Sequence, residues 1–267
     1  MSSGRRWSHS AFEDYANCGE KFRLRRIVKV PQLPNMAAVA GKAFHSWTEE
    51  YDTQELQSQK TQLTFEWPDF LAVAVEEEEE SSGVERDRFT TFGRRTKERP
   101  NKEDFAVWRD DIGPDLVEKY VAWAGNHDLT IAQDLPQDAN GKTYGVEYEL
   151  SFRIGQTPEL GYADRIFYDV DGNLGVVDIK TGRKRKTTQL PLYLIALQQK
   201  GIPAVWCAYY QARDGKMTEP WFPDWDEHRM SYLHEQAAAM QALGFYLPNP
   251  GDECGWCSVR DHCQFAL

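Results

Sequence analysis

No stretch of the 267-residue sequence approaches the eighteen or more consecutive apolar residues of a membrane-crossing helix. The opening MSSGRRWSHSAFED has no apolar core of a secretory leader. The expectation is an intracellular, cytoplasmic protein with no membrane partner. There is no internal repeat, and no Walker A pattern, so any unwinding of a duplex has to come from a partner. Positive charge is in short supply: 31 Lys and Arg against 42 Asp and Glu give a net charge of −11. That excludes a generally basic nucleic-acid coat, although a local site can carry the opposite sign. The basic residues are gathered in Lys21 to Lys29, Arg94 to Lys102 and Arg183 to Lys186. Cysteine is sparse and unevenly spread: Cys18 is near the start, Cys207 lies in an apolar run, and Cys254, Cys257 and Cys263 crowd the end. In a reducing compartment this pattern favours metal over disulfide.

What is present is ample for a core, with 41% hydrophobic and 13% aromatic residues. Ser10-Ala-Phe-Glu13 reads as a capping box opening a first helix that carries Cys18, with Phe12, Tyr15, Ala16 and Phe22 at helical spacing. A second helix begins near Met36 to Gly41 and runs past Tyr51, with Phe44, Trp47, Thr48 and Tyr51 on one face and His45 four residues before Glu49. Residues 76–102 contain a glutamate run and few core formers, and read as a mobile loop within a mostly helical part spanning 36–126. The helical pattern resumes over 103–126, broken at Gly113-Pro114. From Tyr144 onward Val146, Tyr148, Leu150, Phe152 and Ile154 alternate with polar residues, as in a half-buried strand. Gly161 to Val170 and Leu174 to Lys180, joined by Asp171-Gly172-Asn173, complete a three-stranded meander. A helix over 189–200, a strand over 204–211 and a helix over 226–243 follow. The order implies a single α/β domain with a mixed sheet, its core at 144–243.

Asp178 and Lys180 are two apart on a strand and share a face, so a carboxylate and an ammonium line one surface. A bare Asp-x-Lys is ordinarily a surface salt bridge. Here Asp164 lies on the strand hairpinned to it, and a helix with Gln189 and Tyr193 on one face follows. Two hard carboxylates suit Mg²⁺ or Mn²⁺, a cation that polarises a phosphodiester and activates water, with Lys180 beside it. In the tail, Cys254-x-x-Cys257-x₅-Cys263 supplies three thiolates. Cys18 is the natural fourth, which would tie the two termini together; these residues leave Cys₄ zinc and a 4Fe-4S cluster both open. Cys207 reads as a small buried hydrophobe.

These motifs resemble, in order along nearly the whole chain, the RecB-like branch of the PD-(D/E)XK nuclease superfamily, and within it the iron-sulfur members, which include CRISPR-associated adaptation exonucleases and the AddB nuclease domain. The matching residues are Cys18, Gly41-Lys-Ala-Phe-His45, Gly161-x-x-Asp164, Val177-Asp178-Ile-Lys180-Thr-Gly182, Gln189-x-x-x-Tyr193 and the closing cysteines. One position departs: Gly19 stands where the family usually has Pro. The resemblance implies a restriction-endonuclease-like fold with an iron-sulfur clamp, and an exonuclease acting on single-stranded DNA ends in recombination, repair or processing, phage-encoded among other sources. It implies that His45, Asp164, Asp178 and the Ile179 carbonyl hold the metal, that Glu147 is accessory, and that Gln189 and Tyr193 hold DNA or orient Lys180. It further implies phosphate contacts from Arg183, Lys184, Arg185 and Lys186, a 4Fe-4S cluster on the four cysteines, and a helicase or recombination partner. The competing expectations are an inactive DNA-binding scaffold with the same fold and a zinc-stapled regulatory protein.

Overall fold

The computed structural model describes residues 7–57, 66–91, 103–182 and 187–267. Helix α1 (His9–Asn17) is capped by Ser8, whose side chain accepts from the Ala11 N–H, so the capping box expected at Ser10 does not form. The chain is extended at Cys18 (φ −161°), which places this cysteine between α1 and α2 (Gly19–Phe22) instead of on a helix. A π-helical turn at Arg23–Val28 continues α2 and ends at Lys29 in the left-handed region (φ 57°). Helix α3 (Met36–Leu56) starts at Asn35, whose side chain accepts from the Ala37 and Ala38 amides.

The glutamate run is not a loop. Glu76 to Glu80 belong to α4 (Trp67–Ser82), which has Pro68 in its first turn and ends at left-handed Gly83. Trp67, Leu71, Ala74 and Val75 recur at helical spacing and are buried. The acidic back of the same helix hid that pattern in the sequence. Past α4 the expected loop contains a 3-10 turn (Arg86–Arg88) and the buried Phe89, and its last part, 92–102, lies outside the described residues. Nor does Gly113-Pro114 break the next helix: α5 (Phe105–Val107) passes through a π turn (Trp108–Ile112) into α6 (Gly113–Ala124). Pro114 sits in the first turn of α6, where a missing N–H costs little. A Cβ on Gly113 would lie 1.9 Å from the Trp67 ring, so α4 can dock only on a glycine here.

The sheet comprises β1 (Thr130–Ile131), β2 (Val146–Ile154), β3 (Thr157–Tyr168), β4 (Leu174–Lys180), β5 (Ala204–Gln211) and β6 (Lys216–Met217). Its order is β1-β3-β4-β5-β6, with β2 also on β3. The meander β2-β3-β4 is antiparallel as its hairpin chemistry predicts, and α7 (Gln189–Gln199) is the crossover that makes β5 parallel to β4. On one face, Phe167, Val177, Ile179, Trp206, Ala208 and Tyr210 pack against α3, α4 and α6. On the other, Tyr148, Leu150, Val176, Cys207 and Tyr209 pack against α7 and Met230 of α8 (Glu227–Ala242). A smaller cluster, Trp7, Ala11, Phe12, Phe22 and Ala237, joins α1 to α8.

The two ends of the chain are tied to each other. Gly19 N–H donates to Leu247 O (2.9 Å), the Tyr15 hydroxyl to Phe245 O (2.7 Å) and the Asn249 amide N–H to Cys18 Sγ (3.4 Å). A Cβ at Gly19 would lie 2.7 Å from Leu247 N. That contact accounts for glycine at this position: proline would lack the N–H that Leu247 accepts and would add atoms where none fit.

Candidate metal centre

The centre is built where two strands part. The β3–β4 ladder runs from Tyr168–Leu174 to Arg165–Val177 and stops. One residue further, the Asp164 carboxylate replaces the missing partner strand, accepting the Ile179 N–H through Oδ2 at 2.7 Å. Along β4 the backbone groups alternate between neighbours. The Lys180 carbonyl accepts from Ala212 N beyond β5, so the Ile179 carbonyl is turned the other way, into the fork beside Asp164.

Onto this fork α3 brings His45. Its Nδ1 lies 3.6 Å from Glu147 Oε1 and 3.6 Å from Asp164 Oδ2. Among the described residues this is the one trio whose metal-ligating atoms all fall within 4.8 Å of one another. Glu147 comes from β2, which pairs Val146 with Arg165 and Tyr148 with Ala163 and so sets Glu147 across from Asp164. Its backbone is left-handed (φ 45°) at the second residue of β2, a conformation costing about 1–3 kcal/mol that persists only where surrounding contacts impose it. Lys142 is one such contact: its Nζ binds Glu49 Oε1 (2.8 Å) and reaches the Val146 and Glu147 carbonyls (3.3 and 3.4 Å), joining α3 to β2 beside the strained residue. A cleft of about 520 Å³, lined by Ala37, Gly41, His45, Glu147, Lys180 and Thr181 among others, opens onto the trio.

Asp178 is buried and engages Lys180 with both oxygens, at 2.8 and 2.7 Å. Burial, then the neighbouring Asp164 charge, raises the Asp178 pKa against the opposing pull of Lys180. Burial lowers that of Lys180, but Asp178 and Asp164 outweigh it and the net shift is upward. His45 follows the same pattern: burial disfavours its charge, while Asp164 and Glu147 favour it and prevail. The centre therefore concentrates negative charge that protons partly offset, which a divalent cation would displace. The donor set, two or three carboxylates, one imidazole and a free-facing carbonyl, fits a hard divalent cation. The Glu147 Oε1 atom, buried without a hydrogen bond, is a donor atom in need of such a partner.

Behind the cluster lies a network that the sequence did not announce. Arg165 is fully buried next to Asp164; its Nε pairs with Asp52 on α3, its Nη1 donates to the Asp164 carbonyl (2.5 Å), and the same nitrogen is 3.6 Å from Glu147 Oε1. Tyr120 of α6 donates its hydroxyl to Asp52 at 2.6 Å. Asp52 lies two turns along α3 from His45, so the Asp52–Arg165 pair pins α3 to β3 on the helix face that carries the histidine. The one signal was a charged residue inside the apolar run Ala163 to Tyr168.

The other motif residues take definite places. Gln189 Nε2 lies 3.3 Å from the Tyr193 hydroxyl, and Tyr193 stands over Gly161, where a Cβ would be 2.7 Å from its ring. The glycine of Gly161-x-x-Asp164 thus makes room for the tyrosine of Gln189-x-x-x-Tyr193. Burial raises the Tyr193 pKa to about 12, keeping its hydroxyl a neutral donor. Gly41 brings α3 close to Thr181. Cys18, Cys254, Cys257 and Cys263 are free thiols, half-buried, on the two hydrogen-bonded terminal segments, and Cys207 is fully buried in the core. No three of the cysteine sulfurs lie within 4.8 Å of one another. The basic run Arg183 to Lys186 lies outside the described residues.

With strands forking around paired carboxylates and a lysine two residues on, the chain belongs to the PD-(D/E)XK nuclease superfamily, whose sequence profile matches residues 6–264. Among proteins of similar sequence are the Gene 69 protein of Mycobacterium phage L5, 26% identical with 96% of this chain and 95% of the relative covered, and that of Mycobacterium phage D29, 27% identical over the same shares. The crystal structure of SSO0001 aligns with 100% of this chain and 89% of its own at 14% identity, with a TM-score of 0.38. No described helix is long and apolar enough to cross a membrane.

Proposed function

We propose that this protein is a Mg²⁺- or Mn²⁺-dependent deoxyribonuclease, an exonuclease working on single-stranded DNA ends. The observation that carries the reading is the convergence of His45, Glu147 and Asp164 within 4.8 Å at the strand fork, beside a buried Asp178–Lys180 pair. His45, Asp164, Asp178 and the Ile179 carbonyl would hold the cation, with Glu147 as an accessory ligand. Bound there, the cation polarises the phosphodiester and lowers the pKa of water. Lys180, held cationic by two carboxylates, neutralises charge developing on the phosphate and orients the attacking water. Gln189 and Tyr193 present neutral donors to the DNA backbone or to Lys180, and Arg183 to Lys186 add phosphate contacts. The family membership supports a nuclease and the phage relatives a phage-encoded one; in this reading the enzyme serves DNA recombination, repair or processing and leaves unwinding to a helicase-type partner.

The four cysteines, in this reading, hold a 4Fe-4S cluster that fastens the already hydrogen-bonded ends and takes no part in cleavage. Anaerobically purified protein is expected to be brown and to contain iron; a colourless protein containing zinc would replace the cluster with a zinc staple.

The central experiment offers end-labelled single-stranded, duplex and flapped DNA with Mg²⁺, Mn²⁺ or EDTA. A ladder from one end of the single strand is expected, absent with EDTA and absent for Asp178→Ala and Lys180→Ala. Cleavage by either variant at the wild-type rate would overturn the assignment, and an intact protein that binds but never cuts DNA would make it a scaffold.

A further inference from the structure

The segment from the end of α1 to α3 carries a second concentration of charge, of the sign in which the chain is poorer. From Asp14 to Lys29 five cations (Lys21, Arg23, Arg25, Arg26, Lys29) face two carboxylates (Asp14, Glu20), giving +3 within a chain of net charge −11. Glu20 is occupied by Arg23 at 2.7 Å. Asp14 is left as the shared partner of three cations: Lys21 at 3.3 Å, Arg25 at 3.0 Å and Arg26 at 2.9 Å. One buried carboxylate cannot balance three cations, so a positive excess remains on the outer side.

That excess is arranged around a cavity. Arg25, Arg26, Lys29, Val30 and Gln32 line a cleft of about 340 Å³. Its walls are fixed: Phe22, just before the π turn, sits in the terminal core, Leu24 within the turn is buried, and the left-handed Lys29 closes it with a Val30 N–H to Leu24 O bond of 3.0 Å. The location matters as much as the charge. Gln32 precedes Ala37, a wall residue of the cleft over the metal centre, by five residues. Five residues span at most about 18 Å even when fully extended, so the two clefts lie within a few nucleotides of each other.

We propose that the Arg25–Gln32 cleft is a non-catalytic subsite for the phosphodiester backbone of the DNA strand whose end occupies the metal centre. This rests on the nuclease reading above. Its contacts are with phosphate, because guanidinium and ammonium groups pair with phosphate oxygens and no aromatic ring lines the cleft to stack a base. It makes binding dependent on strand length and on salt.

The test is the double variant Arg25→Gln/Lys29→Asn. Lys21 and Arg26 still accompany Asp14, and Asn accepts the left-handed backbone of position 29. Fluorescence anisotropy in EDTA measures affinity for a long and a very short labelled oligonucleotide over a salt series. For the long strand, two lost phosphate contacts should reduce the slope of log K against log salt by about 1.4 and the affinity by roughly tenfold at physiological salt. The short strand should bind as before, and kcat at saturating DNA should be unchanged. If the double variant does not fold by circular dichroism, Lys29→Asn alone carries the test, with a slope change of about 0.7. A wild type that cuts DNA, with a variant of unchanged slope and long-strand affinity, overturns the subsite and leaves the nuclease standing. A wild type that neither binds nor cuts DNA overturns both.

Discussion

Arg165→Met is the most demanding perturbation of the scaffold behind the candidate metal centre. Arg165 is fully buried and Asp52 is 5% exposed, so the substitution strands a carboxylate with only the Tyr120 hydroxyl and no countercharge. Removing one partner of a buried pair costs about 3–5 kcal/mol, because the remaining charge is desolvated without compensation. The Asp164 carbonyl also loses its donor. Against a total stability of about 5–15 kcal/mol, the loss runs from about a fifth of the fold's stability to all of it. Urea unfolding followed by far-ultraviolet circular dichroism measures it. The triple variant Arg165→Met/Asp52→Leu/Tyr120→Phe removes charges and hydroxyl together. It should regain most of the loss, since replacing a whole buried polar network with apolar groups is often near neutral. An Arg165→Met protein within about 1 kcal/mol of wild type, or a triple variant no more stable than the single one, would refute the claim that Arg165 is held by its charge partner.

Four further outcomes are expected. Asp138 is buried, which alone would raise its pKa, but the amides of Glu149, Lys142 and Asn140 hold it below the usual carboxylate value. Its stabilisation is therefore complete above the unfolded carboxylate pKa and lost as pH falls through the lower folded value; acid unfolding of Asp138→Asn should lack that component. Gly161→Ala forces the Tyr193 ring to move and should cost about 1–3 kcal/mol in thermal unfolding while also lowering cleavage. Gly19→Pro should destabilise by a similar amount because the Leu247 contact allows neither the ring nor the missing N–H. Mn²⁺ at a hundred times its Kd should stabilise the protein by about 2.7 kcal/mol by calorimetry, and His45→Ala should remove most of that gain at the same concentration.

Much of this centre was legible because its motifs are local. Asp178 and Lys180 declare a shared face through strand periodicity, and β4 and β5 begin and end where their apolar runs do. The helix starting at Met36 is equally plain, since Phe44 and Trp47 mark its buried face. Less legible were features set by packing. The helical spacing of Trp67, Leu71, Ala74 and Val75 was overshadowed by five glutamates on the same helix. Ser8 caps α1 in preference to Ser10, a choice that the local pattern leaves open. By strand alternation alone Glu147 fits a solvent-side residue as well as an accessory ligand, because a positive φ leaves no trace in residue order. Arg165 and Asp52 are more than a hundred residues apart, and only the tertiary fold shows that they are partners.

The hydrogen bonds between Gly19 and Leu247 and between Cys18 and Asn249 couple two segments that stand 231 residues apart in the latter pair. Fraying at either end then exposes the other, so the N-terminal helix and the tail should gain hydrogen-exchange protection together and lose it together.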